Sequence, residues 1–278
     1  MTTGFPVYDS AQVRTPLLTE GRNIWSYRGL IRLLVSRELT TRYKRSVLGV
    51  WWTLLNPLLT TGIMWLVFGV VIGNRFGETT EPYVVYLLAG VIMMTFFGQG
   101  FLATGAAITN SSAILSKVYV PAEVFAVSTA IAGAVNFLIS FGALAVVQLW
   151  AGVGIPWTIV LSPLSILAML GLVAGLGLTL ASLAVYFYDI LDFSRVLVQL
   201  VYYMTPVFWT LEILPERFHI FMRLNPLFSH LELFRDLTYR GTLGEPWMWA
   251  TVFGSAVGFL VLGVWLFGKS WRTLVSQL

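Results

Sequence analysis

The sequence has 278 residues, of which 57% are hydrophobic and 11% are charged, and it contains two histidines and no cysteine. A soluble domain is usually about 45–50% apolar and about 25% charged, so this composition excludes a soluble fold and predicts an integral membrane protein. It also excludes disulfides, thiolate metal sites and a histidine-rich metal cluster. We attribute the net charge of +4 to Lys and Arg on the cytoplasmic side of a membrane, and not to nucleic-acid binding.

The N-terminal region divides into two parts. Residues 1–23 are polar and lack the apolar core of a signal peptide, so we expect a flexible cytoplasmic N-terminus. From Ile24 to Ser36, apolar residues recur at helical spacing opposite Arg28 and Arg32. This pattern predicts an amphipathic helix in the membrane interface, with an ordinary packed helix as the alternative. We assign residues 24–46 to this helix and a basic connector.

Long uncharged runs between residues 47 and 268 predict an all-α transmembrane domain of six helices. A helix needs roughly 20 apolar residues to cross a bilayer, and each run is bounded by polar, Gly or Pro residues. Pro206 should kink the fifth helix or end its regular part. The predicted spans cover residues 50–73, 83–109, 124–150, 164–188, 196–211 and 247–268.

The distribution of positive charge predicts the orientation of these spans. Six crossings leave both termini on one side, and twelve of the 17 Lys and Arg residues would then share that side. Positive residues accumulate on the cytoplasmic side of membrane proteins. The N-terminus and the tail, residues 269–278, are therefore predicted to be cytoplasmic.

Residues 212–243 do not have the composition of a simple loop. Their apolar pieces are interrupted by Pro215 and by Asn225-Pro226, and each piece is too short to cross a bilayer. We predict two short re-entrant helices on the outer side before span six. The alternative is an amphipathic loop that lies flat on the outer surface.

Motifs for catalysis are missing from the sequence. It contains no P-loop, HExxH or GxSxG sequence, and the span interiors have almost no ionisable residues. Asp189, Asp192 and Arg195 share a helical face at a predicted membrane edge, where capping and anchoring are the expected roles. The chain is therefore predicted to be no enzyme, to bind no cofactor itself, and to take energy from a partner protein.

Aromatic residues are concentrated on spans two and five. Their rings could stack on sugar faces in a channel through which a polymer slides, while ordinary core or lipid packing is the alternative. The candidate channel residues are Tyr83, Tyr86, Phe97, Phe101, Tyr202, Tyr203 and Phe208.

Four patches, in this order, carry a resemblance to a known family. They are the sequence RYKRSVLG at 42–49, the segment 110–123, Thr205-Pro206-Val207, and Leu224-Asn225-Pro226 with Phe234-Arg235. The sequence resembles the membrane subunit of bacterial type-2 ABC exporters for polysaccharide and teichoic acid. The resemblance extends from about residue 25 to the end.

This resemblance implies partners and a location. The working unit would contain a second copy of the chain and two copies of a P-loop ATPase, which would bind the ATP and Mg. It would lie in the bacterial cytoplasmic membrane among membrane lipids. It would export a lipid-linked cell-envelope polysaccharide, for which we expect a galactan-like polymer.

The resemblance also assigns residues to three roles. Residues 110–120 look like the cytoplasmic segment that couples to the ATPase, and 212–243 like the family's gate helices. Clustered cations after the first helix could meet the lipid diphosphate, or could simply anchor the chain on the cytoplasmic side. The assignments are Asn110, Ser111, Ile114, Leu115 and Lys117 for coupling; Arg42, Lys44 and Arg45 for the diphosphate; and Leu214, Phe218, Asn225, Pro226, Phe228 and Arg235 for the gate.

Two other classes of function remain open at this point. A permease of the same fold could move drugs or lipids. A membrane-embedded glycosyl- or acyltransferase would need a polar site at a membrane face, for which the candidates are Asp189 with Asp192, or His219 with His230 and Glu232.

Overall fold

A computed structural model describes residues 27–44, 46–71, 82–115, 117, 120–187 and 189–277, with side chains described through residue 270. Within these ranges all regular secondary structure is helical, as the sequence predicts. We number the α-helices α1 Arg28–Tyr43, α2 Trp51–Met64, α3 Tyr83–Asn110, α4 Ser112–Leu115, α5 Glu123–Trp150, α6 Ser162–Ala184, α7 Ile190–Met204, α8 His219–Leu224, α9 Pro226–Arg235 and α10 Pro246–Gln277.

By length and composition, five helical stretches of the described residues could cross a membrane, which is consistent with the predicted integral membrane protein. They coincide with predicted spans one, two, three, four and six. In the first, α2 continues as the π-helical residues Trp65–Val71, and in the fourth, the 3₁₀ turn Trp157–Leu161 precedes α6. The five stretches are Trp51–Val71, Tyr83–Asn110, Glu123–Trp150, Trp157–Ala184 and Pro246–Ser270.

The fifth predicted span differs from its prediction. Helix α7 has 15 residues, or about 22 Å at 1.5 Å per residue, which is shorter than the ~30 Å hydrocarbon core. It ends at Met204, because the ring of Pro206 disfavours helical backbone at Thr205, where φ is −85° and ψ is 140°. The described helices therefore provide five candidate spans and not six, and residues 205–210 are non-helical.

Helix α3 forms the centre of the bundle. It is apolar on all sides, and most of its residues are buried, chiefly against α5 and α6, with α2 and α7 at its flanks. Small residues bring α3 and α6 close together, since a Cβ at Gly105 would lie 2.4 Å from Leu180 and one at Gly177 would lie 2.5 Å from Thr104. The large residues of α3 fill the main apolar core.

Helices α6 and α10 run parallel in very close contact. Gly171 lies beside Ala256, and a Cβ at Gly175 would lie 2.4 Å from the backbone of Phe259 and Leu260. Helix α3 has the same direction, because Gly100 meets Val173 and Gly105 meets Leu180. Since α6 and α10 both begin at the same end of the bundle, residues 185–245 must carry the chain back to that end.

The return path follows α3 in the opposite direction. Leu191 of α7 packs near Phe101, and Val207, beyond the end of α7, is close to Gly90. Helix α7 and the non-helical residues after it therefore lie alongside α3 over most of its length.

Helix α1 is longer than predicted, and it ends further along the chain. It spans Arg28–Tyr43 and packs on the side of α5, so it includes most of the residues assigned to a basic connector. The Thr40 hydroxyl donates to the Ser36 carbonyl at 2.7 Å, which lets a polar β-branched residue stay within the helix. None of its described residues is buried, and its location in the membrane interface stays a prediction.

The segment before α10 is broken at the predicted prolines. Two 3₁₀ turns, Leu211–Ile213 and Glu216–Phe218, lead into α8, and Asn225-Pro226 separates α8 from α9. The Asn225 side chain caps α9 by accepting from the Leu227 N–H at 3.0 Å, and Pro226 occupies the first helical position. Helix α8 is mostly exposed, whereas α9 is mostly buried against α3, α6 and α10.

Candidate functional site

The non-helical residues between α7 and the first 3₁₀ turn are held by side chains from other helices. The Tyr86 hydroxyl lies 2.9 Å from the Pro206 carbonyl oxygen and 2.6 Å from that of Trp209. The Tyr83 hydroxyl donates to the carbonyl of Phe208. Unpaired carbonyls are costly in a water-poor interior, and the two tyrosines reduce this cost by donating hydrogen bonds to the carbonyls that the end of the helix leaves free.

Arg235 of α9 completes this arrangement from the opposite side. Its Nη1 donates to the Pro206 carbonyl at 2.9 Å, and its Nη2 donates to the carbonyls of Val207 at 3.3 Å and Tyr86 at 3.2 Å. The guanidinium also lies 3.5 Å from the centroid of the Tyr86 ring. The side chain is fully buried. Four successive carbonyls, from residue 206 to 209, thus accept hydrogen bonds from Tyr83, Tyr86 or Arg235.

Arg235 belongs to a buried ion cluster at the end of α9. Glu232 accepts from Arg235 at 2.7 Å and from Arg240 at 2.6 Å, and Arg240 also pairs with Asp236 at 3.0 Å. Burial opposes ionisation of Glu232, but the two guanidiniums hold the pKa of this carboxyl below its usual value. Two cations and two carboxylates make the cluster formally neutral, which limits the cost of burying Arg235.

The predicted gate residues fall into an exposed and a buried set. Phe218 is exposed and Leu214 is partly buried, whereas Phe228 and Arg235 are buried. Asn225, between the two sets, also donates from Nδ2 to the Thr205 hydroxyl at 3.3 Å, which ties the start of α9 to the end of α7. The structure therefore brings the non-helical residues after α7 together with α9, the buried half of the predicted gate segment.

The predicted channel aromatics are mostly inside the bundle. Tyr86, Phe97, Phe101 and Phe208 are buried, while Tyr83 and Tyr202 are partly buried. Tyr203 is 58% exposed. In this conformation the buried rings pack against protein, and Tyr203 is the most exposed aromatic of the set. Their role in lining a channel stays a prediction.

The predicted coupling residues lie together where α3 ends. Asn110 is the exposed last residue of α3, and Ser111 breaks the helix before α4 with φ −108° and ψ 8°. Ile114 and Leu115 are in α4, and Leu115 packs on a small cluster that includes Ile108 and Phe267. Lys117 is exposed. Ser116, Val118 and Tyr119 lie outside the described residues.

The predicted diphosphate ligands are near the end of α1. Arg42 and Lys44 are exposed there, and Arg45 lies outside the described residues. Of the candidates for an enzyme site, Asp192 forms an exposed ion pair with Arg195. His230 is buried beside the Ser255 hydroxyl at 3.2 Å, and Glu232 is held by two arginines. Among the described residues, no group of three or more His, Asp or Glu could hold a metal ion.

Sequence reasoning placed Arg235 at the gate but did not reveal that Tyr83 and Tyr86 hold the backbone of the break. The spacing Glu232-x-x-Arg235 and Asp236-x-x-x-Arg240 is the pattern that could have indicated the ion cluster, because residues three or four apart are neighbours on a helix. The partners of Tyr86 are 120 and 123 residues away. No local pattern points to them.

Comparison with known proteins identifies the family of this chain. The family model described as ABC-2 type transporter matches residues 29–239. The chain is 30% identical, over 231 residues, to the "O-antigen export system permease protein RfbA" of Myxococcus xanthus, which covers 82% of this chain and 87% of that protein. It is 24% identical, over 242 residues, to a protein of the same name in Klebsiella pneumoniae, covering 86% and 91% of the two chains. The chain belongs to the ABC-2 type transporter family of membrane proteins.

Proposed function

We propose that this chain is the permease subunit of an ABC exporter that moves a lipid-linked cell-envelope polysaccharide across the bacterial cytoplasmic membrane. The observation that carries the proposal is its similarity, over most of both chains, to permeases of O-antigen export systems. O-antigen is a polysaccharide, and we expect a galactan-like polymer as the specific glycan.

We propose a topology of six crossings with both termini in the cytoplasm, in which the five candidate spans of the described residues are joined by one further crossing. The fifth crossing would combine α7 with the non-helical residues 205–210, because together they run antiparallel to α3 from Phe101 to Tyr83. The carbonyls of these residues receive hydrogen bonds from Tyr83, Tyr86 and Arg235, so a non-helical end is compatible with the membrane interior.

The surface of α7 supports a channel shared by two copies of the chain. Gln199 and Tyr203, which are four residues apart and therefore on one helical face, are both exposed. A polar amide beside the exposed apolar side chains of Val196 and Leu200 is unfavourable against lipid. A second copy that covers this face would place both side chains along a polymer path.

Energy would come from two copies of a separate P-loop ATPase, which would bind the ATP and Mg. The end of the bundle formed by Asn110, α4 and Lys117 is where we propose that the ATPase docks. Exposed polar and basic groups beside the anchored Leu115 make this end suited to contact a soluble domain. We propose no enzymatic role, because Glu232 is neutralised by two arginines and Asp192 by Arg195.

Reconstitution would test this function. The permease and its ATPase are placed in proteoliposomes with a lipid-linked polysaccharide, and exposure of the polymer on the far side is followed with a lectin or an endoglycosidase. We expect transport that requires both ATP and the ATPase, and none with an ATPase that lacks its P-loop lysine. Transport without the ATPase, or no transport by an intact and ATP-hydrolysing complex, would contradict the proposal.

A further inference from the structure

The hydroxyl of Tyr43 connects three helices at one point. Tyr43 is the last residue of α1, and its hydroxyl donates to Asn136 Oδ1 of α5 at 2.7 Å and contacts the Thr53 hydroxyl of α2. Ser140 of α5 completes the arrangement by donating to the Thr53 carbonyl at 3.0 Å. We call these four residues the joint. It ties the end of α1 and the start of α2 to the same stretch of α5.

The joint lies deep in the bundle. Asn136 is 13 residues after the start of α5 at Glu123, which is about 20 Å at 1.5 Å per residue. Polar side chains halfway along an apolar helix are unfavourable in a membrane unless they have a function. The hydrogen bond from Tyr43 offsets part of this cost. The joint therefore favours one position of α1 relative to α5.

Helix α2 has few other attachments to the bundle. Of the 21 residues Trp51–Val71, only Pro57 and Thr61 are buried. The turn that connects α1 to α2 contains Gly49 at φ +51°, a left-handed conformation that favours glycine. Since close packing holds α2 so little, the position of its start depends on the joint.

A cavity of about 290 Å³ lies beside the joint, between α1, α2, α3 and α5. Tyr43, Thr53 and Asn136 border it, and Phe96 and Gln99 of α3 also line it. Protein interiors are otherwise close-packed, so an open space lets a helix shift without displacing side chains. Helix α2 can thus move relative to α3 at this level of the bundle.

The far end of α2 reaches the non-helical residues after α7. The Phe68 ring stacks on that of Phe208, with the ring centroids 5.8 Å apart. Phe208 is one of residues 205–210, and its carbonyl accepts from Tyr83. Phe68 is 15 residues beyond Thr53, or about 20 Å along the helix. One continuous helix therefore connects the joint with residues 205–210, and a rigid helix can transmit a displacement between them.

We infer that Tyr43 is a positioning residue for transport, which couples movement of α1 to α2 and, through α2, to the non-helical residues 205–210. The inference rests on the proposed function and goes beyond it, because it names the contact through which α1 acts on the membrane spans. The hydroxyl acts through Asn136 and Thr53, and not by contact with the glycan.

The amount of glycan exported per ATP tests the coupling. The permease and its ATPase are placed in proteoliposomes, and export of a lipid-linked polysaccharide is measured together with phosphate release. Tyr43→Phe keeps the ring and removes the hydroxyl, so the glycan exported per ATP should fall about tenfold, the equivalent of one hydrogen bond. Tyr27→Phe, at the opposite end of α1, should leave the ratio unchanged. An unchanged ratio in Tyr43→Phe would overturn the inference.

A double-mutant cycle separates this coupling from a general loss of stability. Asn136→Leu removes the acceptor on α5 and should lower the ratio as much as Tyr43→Phe does. Because both changes break the same contact, the double variant should also lose about tenfold, and not the roughly hundredfold of two independent sites. A hundredfold loss would show that the two residues do not act together, and it would also overturn the inference.

The hold on α1 can be measured without transport. The chain has no cysteine, so a single nitroxide on Thr41→Cys, which is exposed in the last turn of α1, reports on the motion of this end. In the intact complex in lipid nanodiscs, adding Tyr43→Phe should increase the mobile fraction of the EPR spectrum, whereas adding Tyr27→Phe should not. An identical spectrum with and without the Tyr43 hydroxyl would contradict the joint.

The failure of this inference is distinguishable from the failure of the proposed function. If the wild-type complex exports the glycan with ATP but Tyr43→Phe changes neither the ratio nor the spectrum, the joint does not couple the helices and the exporter assignment stands. If Tyr43→Phe frees the label at residue 41 but an intact wild-type complex exports nothing, the contact holds α1 only as a structural element, and both the coupling and the exporter assignment fail.

Discussion

Two polar regions lie along the central helix α3, and they differ in whether there is space beside their polar groups. Near its start, Tyr86 and Arg235 are packed against the carbonyls of residues 206–209, and the nearby charges cancel. Halfway along, Gln99 is exposed beside a cavity, and the buried Asn136 keeps an unused donor. The first region will be called the clamp and the second the cavity.

This difference separates a structural role from a binding role. Closely packed and paired polar groups stabilise one backbone arrangement, here a helix that stops at Met204 inside the bundle. Polar groups that face an open cavity contribute little to the fold but can exchange water for a ligand. Substitutions in the clamp should therefore lower stability, and substitutions in the cavity should lower transport at nearly unchanged stability.

The largest effect is expected for Arg235→Leu. It leaves the carboxylate of Glu232 with one partner fewer, and it removes donors from the carbonyls of Pro206 and Val207. Breaking a buried ion pair from one side costs about 3–5 kcal/mol. We expect loss of monodisperse protein in detergent, or a clearly lower Tm. Arg217→Leu is the matched control, because Arg217 is exposed, and equal Tm values for the two variants would contradict the clamp.

A smaller loss of stability is expected for Tyr86→Phe. The variant keeps the ring but removes the hydroxyl that contacts the carbonyls of Pro206 and Trp209. A buried acceptor left without a donor costs about 1–3 kcal/mol. Thermal unfolding should show this difference against Tyr203→Phe, in which the hydroxyl of an exposed ring is removed. A stability equal to that of the control would show that the tyrosine does not support the break.

Unlike the clamp variants, Asn136→Leu should lower transport while leaving stability nearly unchanged. The side chain is of similar size, and Tyr43 retains its contact with Thr53, so we expect a stability change below about 1 kcal/mol. Glycan transport should nevertheless fall about tenfold, because Tyr43 loses its acceptor on α5 and holds the end of α1, which carries Arg42, less firmly. Ser128→Ala, on the same helix, removes a hydroxyl that donates within the helix to Val124, and it should leave transport unchanged. Normal transport by Asn136→Leu would argue against the cavity.

The smallest change in stability is expected for Arg42→Gln, because Arg42 is exposed and such substitutions usually alter stability by less than about 0.5 kcal/mol. In transport assays, the apparent KM for the lipid-linked glycan should rise about tenfold while kcat stays the same, as for a lost binding contact. Arg37→Gln should keep both values. A fall in kcat without a change in KM would place Arg42 outside head-group binding.

The sequence predicts the long apolar helices well, since hydropathy alone defines α2, α3, α5, α6 and α10. At the fifth span it predicts the end of the regular helix at Pro206, but not that the helical part is too short to cross a membrane. Residues 205–210 are apolar enough to be counted in a helix, although Pro206 ends α7 before them. The length of α1 was missed because polar residues such as Thr40 and Thr41 looked like a connector.

The candidate sites were harder to predict, because they depend on contacts between distant residues. Asn136 and Gln99 are ordinary single polar residues in two separate helices, and only the packing of α3 on α5 brings them to one cavity. Arg235 was assigned to the gate, but its full burial depends on the formally neutral ion cluster that it forms with Glu232, Asp236 and Arg240. Tyr86 is one of the predicted channel aromatics, and no sequence pattern indicates that its ring lies under the Arg235 guanidinium.

The central claim, that the chain is the permease of an ATP-driven exporter, is tested most directly by purification of the full-length protein from its native membrane. Proteins that remain bound in mild detergent are identified and quantified by mass spectrometry. We predict one P-loop ATPase chain for each permease chain, and loss of this partner in Lys117→Glu, which reverses the charge beside α4. An intact, folded permease that retains no ATPase under any mild condition would contradict the account.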